Sequence, residues 1–124
     1  MGTIQHNAII ITGGEWNDHL DKAYTKAEEL GLNVSPISKP VTNGYQSFAV
    51  FPDGSKEGWD ESKAHEQGRK ELIEWMEPLE LDFVHVSYGE IGTYVLNTTG
   101  MDPNLPHQRK RKSKKDLKDE RIRI

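Results

Sequence analysis

The segment 43–59, NGYQSFAVFPDGSKEGW, constrains the fold of this chain more than any other stretch. It opens with the turn pair Asn-Gly, and the aromatic and β-branched side chains of residues 45–51 suit a pleated strand. The sequence PDGS at 52–55 then predicts a reverse turn, because Pro fits its second position and Gly accepts a positive φ. We therefore expect a strand over 45–51 that ends in a tight turn and delivers an exposed polar loop.

The length of 124 residues predicts one domain with one modest core. The chain has no cysteine, which excludes a disulfide framework, a thiolate nucleophile and a cysteine-based metal site. No apolar run reaches the roughly 18 residues that a membrane helix needs, and no signal peptide is expected. We expect a single ligand-binding domain over residues 1–106, followed by a basic C-terminal arm over residues 107–124.

The net charge of −4 conceals a strong asymmetry along the chain. Residues 107–124 contain nine Lys or Arg and three acidic side chains, a net +6. The other 106 residues contain 7 basic and 17 acidic side chains, a net −10. An acidic body with a basic arm has three options: the arm folds against its own body, contacts a neighbouring subunit, or binds an anion.

The hydrophobic pattern predicts a β-α-β-β-α-β-β order plus the basic tail. Strands are expected over about 4–12, 34–37, 45–51, 82–88 and 93–96, and Pro36 makes the second one an edge strand. Helices are expected over about 16–30 and 60–77, and the first half of the second helix, 61–69, is polar enough to face solvent. This order predicts an α+β fold, a mostly antiparallel sheet with two main helices packed against it.

No group of side chains predicts catalysis. The Gly13-Gly14 turn before the first helix fits neither common phosphate-binding motif, and a plain turn is the favoured interpretation. Asp18 and His19 point in different directions on a helix, so no metal site is expected. His85 has no evident orienting acid, which leaves a structural or a ligand-contacting role. The chain is therefore expected to be neither an enzyme nor the holder of a cofactor.

Aromatic side chains and arginines remain as candidate binding groups. Trp16, Trp59, Phe83 and Tyr88 are placed where they could stack on a base, although Phe83 and Tyr88 are equally well explained as core residues. Arginines in the arm suit bidentate contacts to phosphate, and the alternative is a loose nucleic-acid or solubility arm. Aromatic groups and arginines without a catalytic group predict a protein that binds a nucleotide-like anion.

Three segments resemble the first Thoeris anti-defence family of phages and prophages. They are HNAIIIT at 6–12, SPIS, NGYQSF and PDGSKEGW within 35–59, and VSYGE at 86–90. The resemblance covers roughly residues 6–96, and the order and spacing of NGYQSF and PDGSKEGW are its most specific part.

The resemblance implies a non-catalytic sponge. Thoeris systems use a TIR enzyme to make a glyco-cyclic ADP-ribose signal that activates a lethal effector, and members of the family bind this signal without cleaving it. It also implies a homo-oligomer with pockets at a dimer interface, in the cytoplasm of the infected bacterial host. Higher assemblies that take up cyclic di- or trinucleotides are associated with the family, whereas membrane and nucleic acid are not expected as partners.

Side-chain chemistry, together with position near these segments, gives the candidate ligand contacts. Phe83 is the expected adenine platform, and Arg109 and Arg111 are the expected pyrophosphate ligands, from the same or the partner subunit. The further candidates are Trp16, Tyr88, Thr93 and Asn97, with Lys56 and Trp59 at the pocket rim.

Two other functions stay open. The first is a small nucleotide phosphodiesterase or hydrolase, which the missing metal cluster and missing His-acid pair disfavour. The second is a nucleic-acid-binding module that uses the basic tail, which the −10 body disfavours because such modules present a broad basic face.

Overall fold

The computed structural model describes residues 3–56 and 58–99. One four-stranded antiparallel sheet has the strand order β2-β1-β3-β4, and two helices accompany it. The predicted α+β class and the order of the long elements are confirmed. The arm 107–124 lies outside the described residues, so its boundary stays a prediction. The elements are β1 (Gln5–Gly14), α1 (His19–Glu29), β2 (Tyr45–Val50), α2 (Asp60–Met76), β3 (Asp82–Gly89) and β4 (Tyr94–Thr98).

Both helices pack on the same face of the sheet. Side chains alternate between the two faces of a strand, so every second residue of β1, β2 and β3 points towards the helices. These residues form one core with the apolar stripes of α1 and α2. The buried core contains Ile9, Ile11, Phe48, Val50 and Phe83 from the sheet, Leu20, Ala23 and Ala27 from α1, and Leu72, Ile73 and Met76 from α2.

The opposite side, which we call the open face, is not covered by either helix. It consists of the alternate residues of the same strands, in the observed register. Ile10, at the centre of the sheet, is 50% exposed, and Tyr45, Tyr88 and Val95 are also exposed. The open face includes His6, Ala8, Ile10, Thr12, Tyr45, Ser47, Ala49, Asp82, Val84, Val86, Tyr88 and Val95.

The predicted turn before β2 is present. Asn43 has a φ of 59° and Gly44 a φ of 73°, the left-handed pair that a tight turn of this type requires. The Glu15 amide donates to the Gly44 carbonyl at 2.8 Å. This bond fixes the turn against the end of β1.

The segment predicted as a second strand, 34–37, forms an isolated bridge between Val34 and Val50 instead. Proline has no amide hydrogen, so Pro36 cannot continue a ladder. The Ser35 amide donates to the Ala49 carbonyl at 2.9 Å, and the Ser35 hydroxyl accepts from the Ala49 amide at 2.8 Å. A serine side chain thus takes over the bond that a regular strand would make with its backbone.

Candidate functional site

Phe83 lies in the core rather than on the surface. Its side chain is 8% exposed and belongs to the cluster formed by the sheet and both helices. Its backbone carbonyl accepts from the Thr99 amide at 3.0 Å. A stacking platform needs an accessible ring face, which the buried Phe83 does not offer. The structure therefore agrees with the alternative interpretation of Phe83 as a core residue.

Trp16 and Tyr45 line a cleft of about 250 Å³ at the end of the sheet where β1 stops. Their rings meet edge to face, with centroids 5.1 Å apart, and Trp16 is 60% exposed. A Cβ atom on Gly14 would lie 2.2 Å from the Trp16 ring. Only glycine therefore lets the tryptophan lie this close to the strand backbone, and the ring is held at the surface by contact on one side.

The opposite wall of this cleft is acidic. Glu80 and Asp82 line it, and none of its described lining residues is Lys or Arg. Asp82 pairs with Thr12 across the strands, which places it on the open face. Carboxylates repel a pyrophosphate, so this cleft is a poor place for the charged part of a nucleotide.

Tyr88 lies at the other end of the open face. Its ring meets the His6 ring edge to face, with centroids 5.3 Å apart. His6 and Gly14 are eight residues apart on β1, which corresponds to about 26 Å along a strand. Trp16 and Tyr88 therefore do not belong to one pocket in a single chain.

The remaining candidates border the helix-covered face or lie outside the described residues. Asn97 pairs with His85 in the β3-β4 ladder and is half-buried. Thr93 is exposed in the turn before β4. The reverse turn predicted at 52–55 is not formed, because this segment contains neither a hydrogen-bonded turn nor a bend. The predicted rim residues Lys56 and Trp59 lie between segment 52–55 and α2, where the Trp59 amide donates to the Lys56 carbonyl at 3.2 Å. Arg109 and Arg111 are outside the described residues.

A polar cluster lies between segment 52–55 and α2, and we call it the Asp53–Arg69 cluster. Arg69 is only 4% exposed, and its Nη1 atom is 3.9 Å from Asp53 Oδ1. The other carboxylate oxygen lies 3.6 Å from His65 Nδ1 and accepts a hydrogen bond from the Ser55 hydroxyl. The cluster connects segment 52–55 to α2.

Electrostatics within the cluster follow from its burial. Burial acts to raise the pKa of Asp53, but hydrogen bonds from Ser55 and the backbone and the charges of His65 and Arg69 outweigh it, so the pKa is lowered. Burial, with a further contribution from the Arg69 charge, lowers the pKa of His85 to about 4. His85 is therefore neutral at neutral pH and Asp53 is ionised.

Two nitrogen atoms in this region are buried without a hydrogen-bond partner among the described residues. They are Arg69 Nε and His85 Nε2. Buried polar groups are nearly always paired, by protein, water or ligand, so these two atoms distinguish the region from the apolar core beside it.

The sequence-based expectation that 61–69 faces solvent is wrong for Gly68 and Arg69, which are buried. The signal that could have located them is positional. His65 and Arg69 are spaced four residues apart and continue backwards the stripe that Leu72 and Met76 form. Because both are polar, a hydrophobicity pattern misses them.

Two structural features that would point to other kinds of site are not seen in residues 3–56 and 58–99. No three His, Asp or Glu side chains there are grouped closely enough to hold a metal ion. In the same ranges, no helix has the length and apolar character to cross a membrane.

Comparisons of the chain with protein-family models, with curated proteins and with solved structures gave no match.

The low pKa of His85 predicts a pH dependence of stability. His85 titrates near 4 when folded and near 6.5 when unfolded, so acid protonates the unfolded chain first. The contribution of neutral His85 to the free energy of unfolding is complete above pH 6.5 and is lost as the pH falls towards 4. We expect the stability difference between the native chain and His85→Gln to change over this window, measured as urea midpoints from pH 4 to 8. Parallel pH profiles for the two proteins would contradict this assignment.

Proposed function

We propose that this protein is a non-catalytic, phage-encoded immune-evasion protein that binds and sequesters the glyco-cyclic ADP-ribose signal of Thoeris defence. The effector then stays inactive because the signal is withheld from it. The protein acts as a homo-oligomer in the cytoplasm of the infected bacterium, without a cofactor. Cyclic di- or trinucleotide signals are a second ligand class within the same proposal.

The observation that carries this proposal is the open face of the sheet. Parts of the three segments that resemble the family lie side by side in the fold, since 6–12 belongs to β1, 45–48 of NGYQSF to β2 and 86–89 to β3, whereas PDGSKEGW follows β2. They are neighbours in the strand order, and together they build the face that neither helix covers.

The character of this face supports pairing with a second copy. Apolar side chains such as Ile10 and Val95 are exposed there, in a patch that ends at an aromatic pair on each side. Contiguous exposed apolar surface is typical of protein interfaces. Two copies that meet through this face would bring the aromatic pair of one subunit towards residues of the other.

The ligand chemistry fits a sponge better than an enzyme. A cyclic ADP-ribose needs stacking for adenine and cations for its pyrophosphate, and stacking alone is worth about 1–3 kcal/mol per base. Tyr88 lies on the open face and supplies an accessible ring, whereas Phe83 is assigned to the core. Arg109 and Arg111 keep the proposed phosphate role.

Calorimetry with glyco-cyclic ADP-ribose tests the proposal. We expect a dissociation constant in the nanomolar range, which corresponds to about −12 kcal/mol. After heat denaturation of the complex, the signal is expected to be recovered intact. Recovery of an opened or hydrolysed product would instead establish the nucleotide phosphodiesterase or hydrolase.

Introducing a charge at the centre of the open face tests whether this face forms a subunit interface. Ile10→Lys is expected to lower both the oligomeric mass in light scattering and the affinity for the signal. Val41→Lys is the matched control, because Val41 is 91% exposed and lies outside the strands. Equal effects of the two variants would contradict an interface on this face, and binding of nucleic acid with a steep salt dependence would favour the basic-tail module.

A further inference from the structure

The cleft beside Trp16 has chemistry that sequestration of an anion does not use. One wall is aromatic, formed by Trp16 and Tyr45, and the other presents the carboxylates of Glu80 and Asp82. Aromatic ring faces attract cations through their quadrupole, and carboxylates attract them through charge. This combination selects a guanidinium or ammonium group.

Both walls are held in place by contacts of their own. The Trp16 ring lies against the Gly14 backbone, where a Cβ would come within 2.2 Å. On the other side the Glu80 amide donates to His19 Nδ1 at 3.1 Å, and Asn17 Nδ2 donates to Glu80 Oε1 at 3.3 Å. Because these contacts hold Trp16 and Glu80 before any ligand arrives, a cation loses little binding energy to the ordering of these two residues.

We propose that this cleft receives a Lys or Arg side chain from the basic segment 107–124 of the same chain. The segment carries nine cationic side chains and a net +6, whereas the remainder of the chain carries −10. A single docked cation leaves other basic residues of the segment, including Arg109 and Arg111, for phosphate.

The path of the chain supports this occupant. The Thr99 amide donates to the Phe83 carbonyl at 3.0 Å, so residue 99 lies beside the residue that follows Asp82. Only seven residues, 100–106, separate this point from the basic segment, and seven residues span at most about 25 Å. The basic segment therefore starts within reach of the acidic wall.

Tethering makes a weak contact sufficient. One cation on an exposed aromatic pair with two carboxylates binds only weakly as a free molecule. Attachment to the same chain raises the effective concentration of the cation, which for short linkers reaches the millimolar range. We therefore expect docking in the intact chain that is sensitive to salt, because the charges involved are close to solvent.

The test follows the indole N–H resonance of Trp16 by NMR, assigned through its loss in Trp16→Phe. In the full-length chain this resonance is expected to shift when all nine Lys and Arg residues of 107–124 are replaced by Gln. Raising NaCl to about 0.5 M should move the native resonance towards that of the tail variant, since the Debye length then falls well below 10 Å. Identical resonances in the two proteins at low salt would overturn the proposal.

Variants of the acidic wall make the test specific. Glu80→Gln with Asp82→Asn is expected to abolish the salt-dependent shift of the Trp16 resonance. Glu74→Gln with Glu77→Gln removes the same charge from exposed positions at the end of α2 and should leave the shift intact.

A synthetic peptide of residues 107–124 added to the tail variant should restore the native resonance. If arginine amide shifts the resonance but this peptide does not, the cleft binds a separate cation and the proposed occupant is wrong. Calorimetry with the signal nucleotide is a separate measurement, so either proposal can fail alone.

Discussion

Replacing Arg69 by methionine is expected to lower the free energy of unfolding by about 3 kcal/mol, the range for breaking a buried ion pair from one side. The substitution removes the guanidinium beside the Asp53 carboxylate, and the Asp53 side chain is only 13% exposed. Methionine nearly preserves the volume, so the loss reports charge rather than a cavity. Urea unfolding followed by far-UV circular dichroism measures it through linear extrapolation.

A double-mutant cycle separates the pair from the rest of the cluster. Asp53→Asn should also destabilise the protein, because it leaves the Arg69 cation buried. The double variant should lose at least about 1 kcal/mol less than the sum of the two single variants, as expected for residues in one ion-pair network. Strict additivity would show that the two side chains do not stabilise each other, despite the 3.9 Å between Arg69 Nη1 and Asp53 Oδ1.

Gly89→Ala is the second substitution with a large expected effect, again about 3 kcal/mol. Gly89 has a φ of 144°, a conformation that costs a side-chain-bearing residue about 1–3 kcal/mol. A Cβ there would also lie 2.7 Å from the Ile4 carbonyl oxygen, which is backbone and cannot rotate away. The carbonyl accepts from the Glu90 amide at 3.0 Å, so its displacement weakens the junction between β1 and β3.

Gly31→Ala is the matched control for this variant. Gly31 also has a positive φ, 77°, but a Cβ there meets nothing within 4 Å. It should cost about 1 kcal/mol, the strain of the left-handed conformation alone. The difference between the two variants in urea unfolding isolates the clash with Ile4, and equal losses would contradict it.

The sequence was sufficient for the elements whose formation depends on local chemistry. The 45–51 strand, the left-handed pair at Asn43 and Gly44, and the apolar stripe of α1 follow from propensity and periodicity. The hairpin of β3 and β4 follows from two alternating runs separated by glycines. These features need no knowledge of what packs against them.

The candidate sites depended on tertiary contacts, which the sequence does not specify. The burial of Arg69 accompanies its contact with Asp53, which lies 16 positions earlier in the chain. Phe83 points to the core because β1 pairs with β3 in the register Ile11 with Phe83. Both faces of β3 carry large apolar side chains, Phe83 on one and Val84 and Val86 on the other, so the sequence alone does not show which face is buried.

The sequestration proposed above requires a protein that stays dispersed at high abundance, because a sponge must outnumber the signal molecules that it holds. The covered side of β2 contributes to this. Because the Ala49 amide already donates to the Ser35 hydroxyl, it is not free to pair with a strand from another molecule at this edge of the sheet. Polymerisation along the strand order is thus blocked at the β2 edge of the sheet.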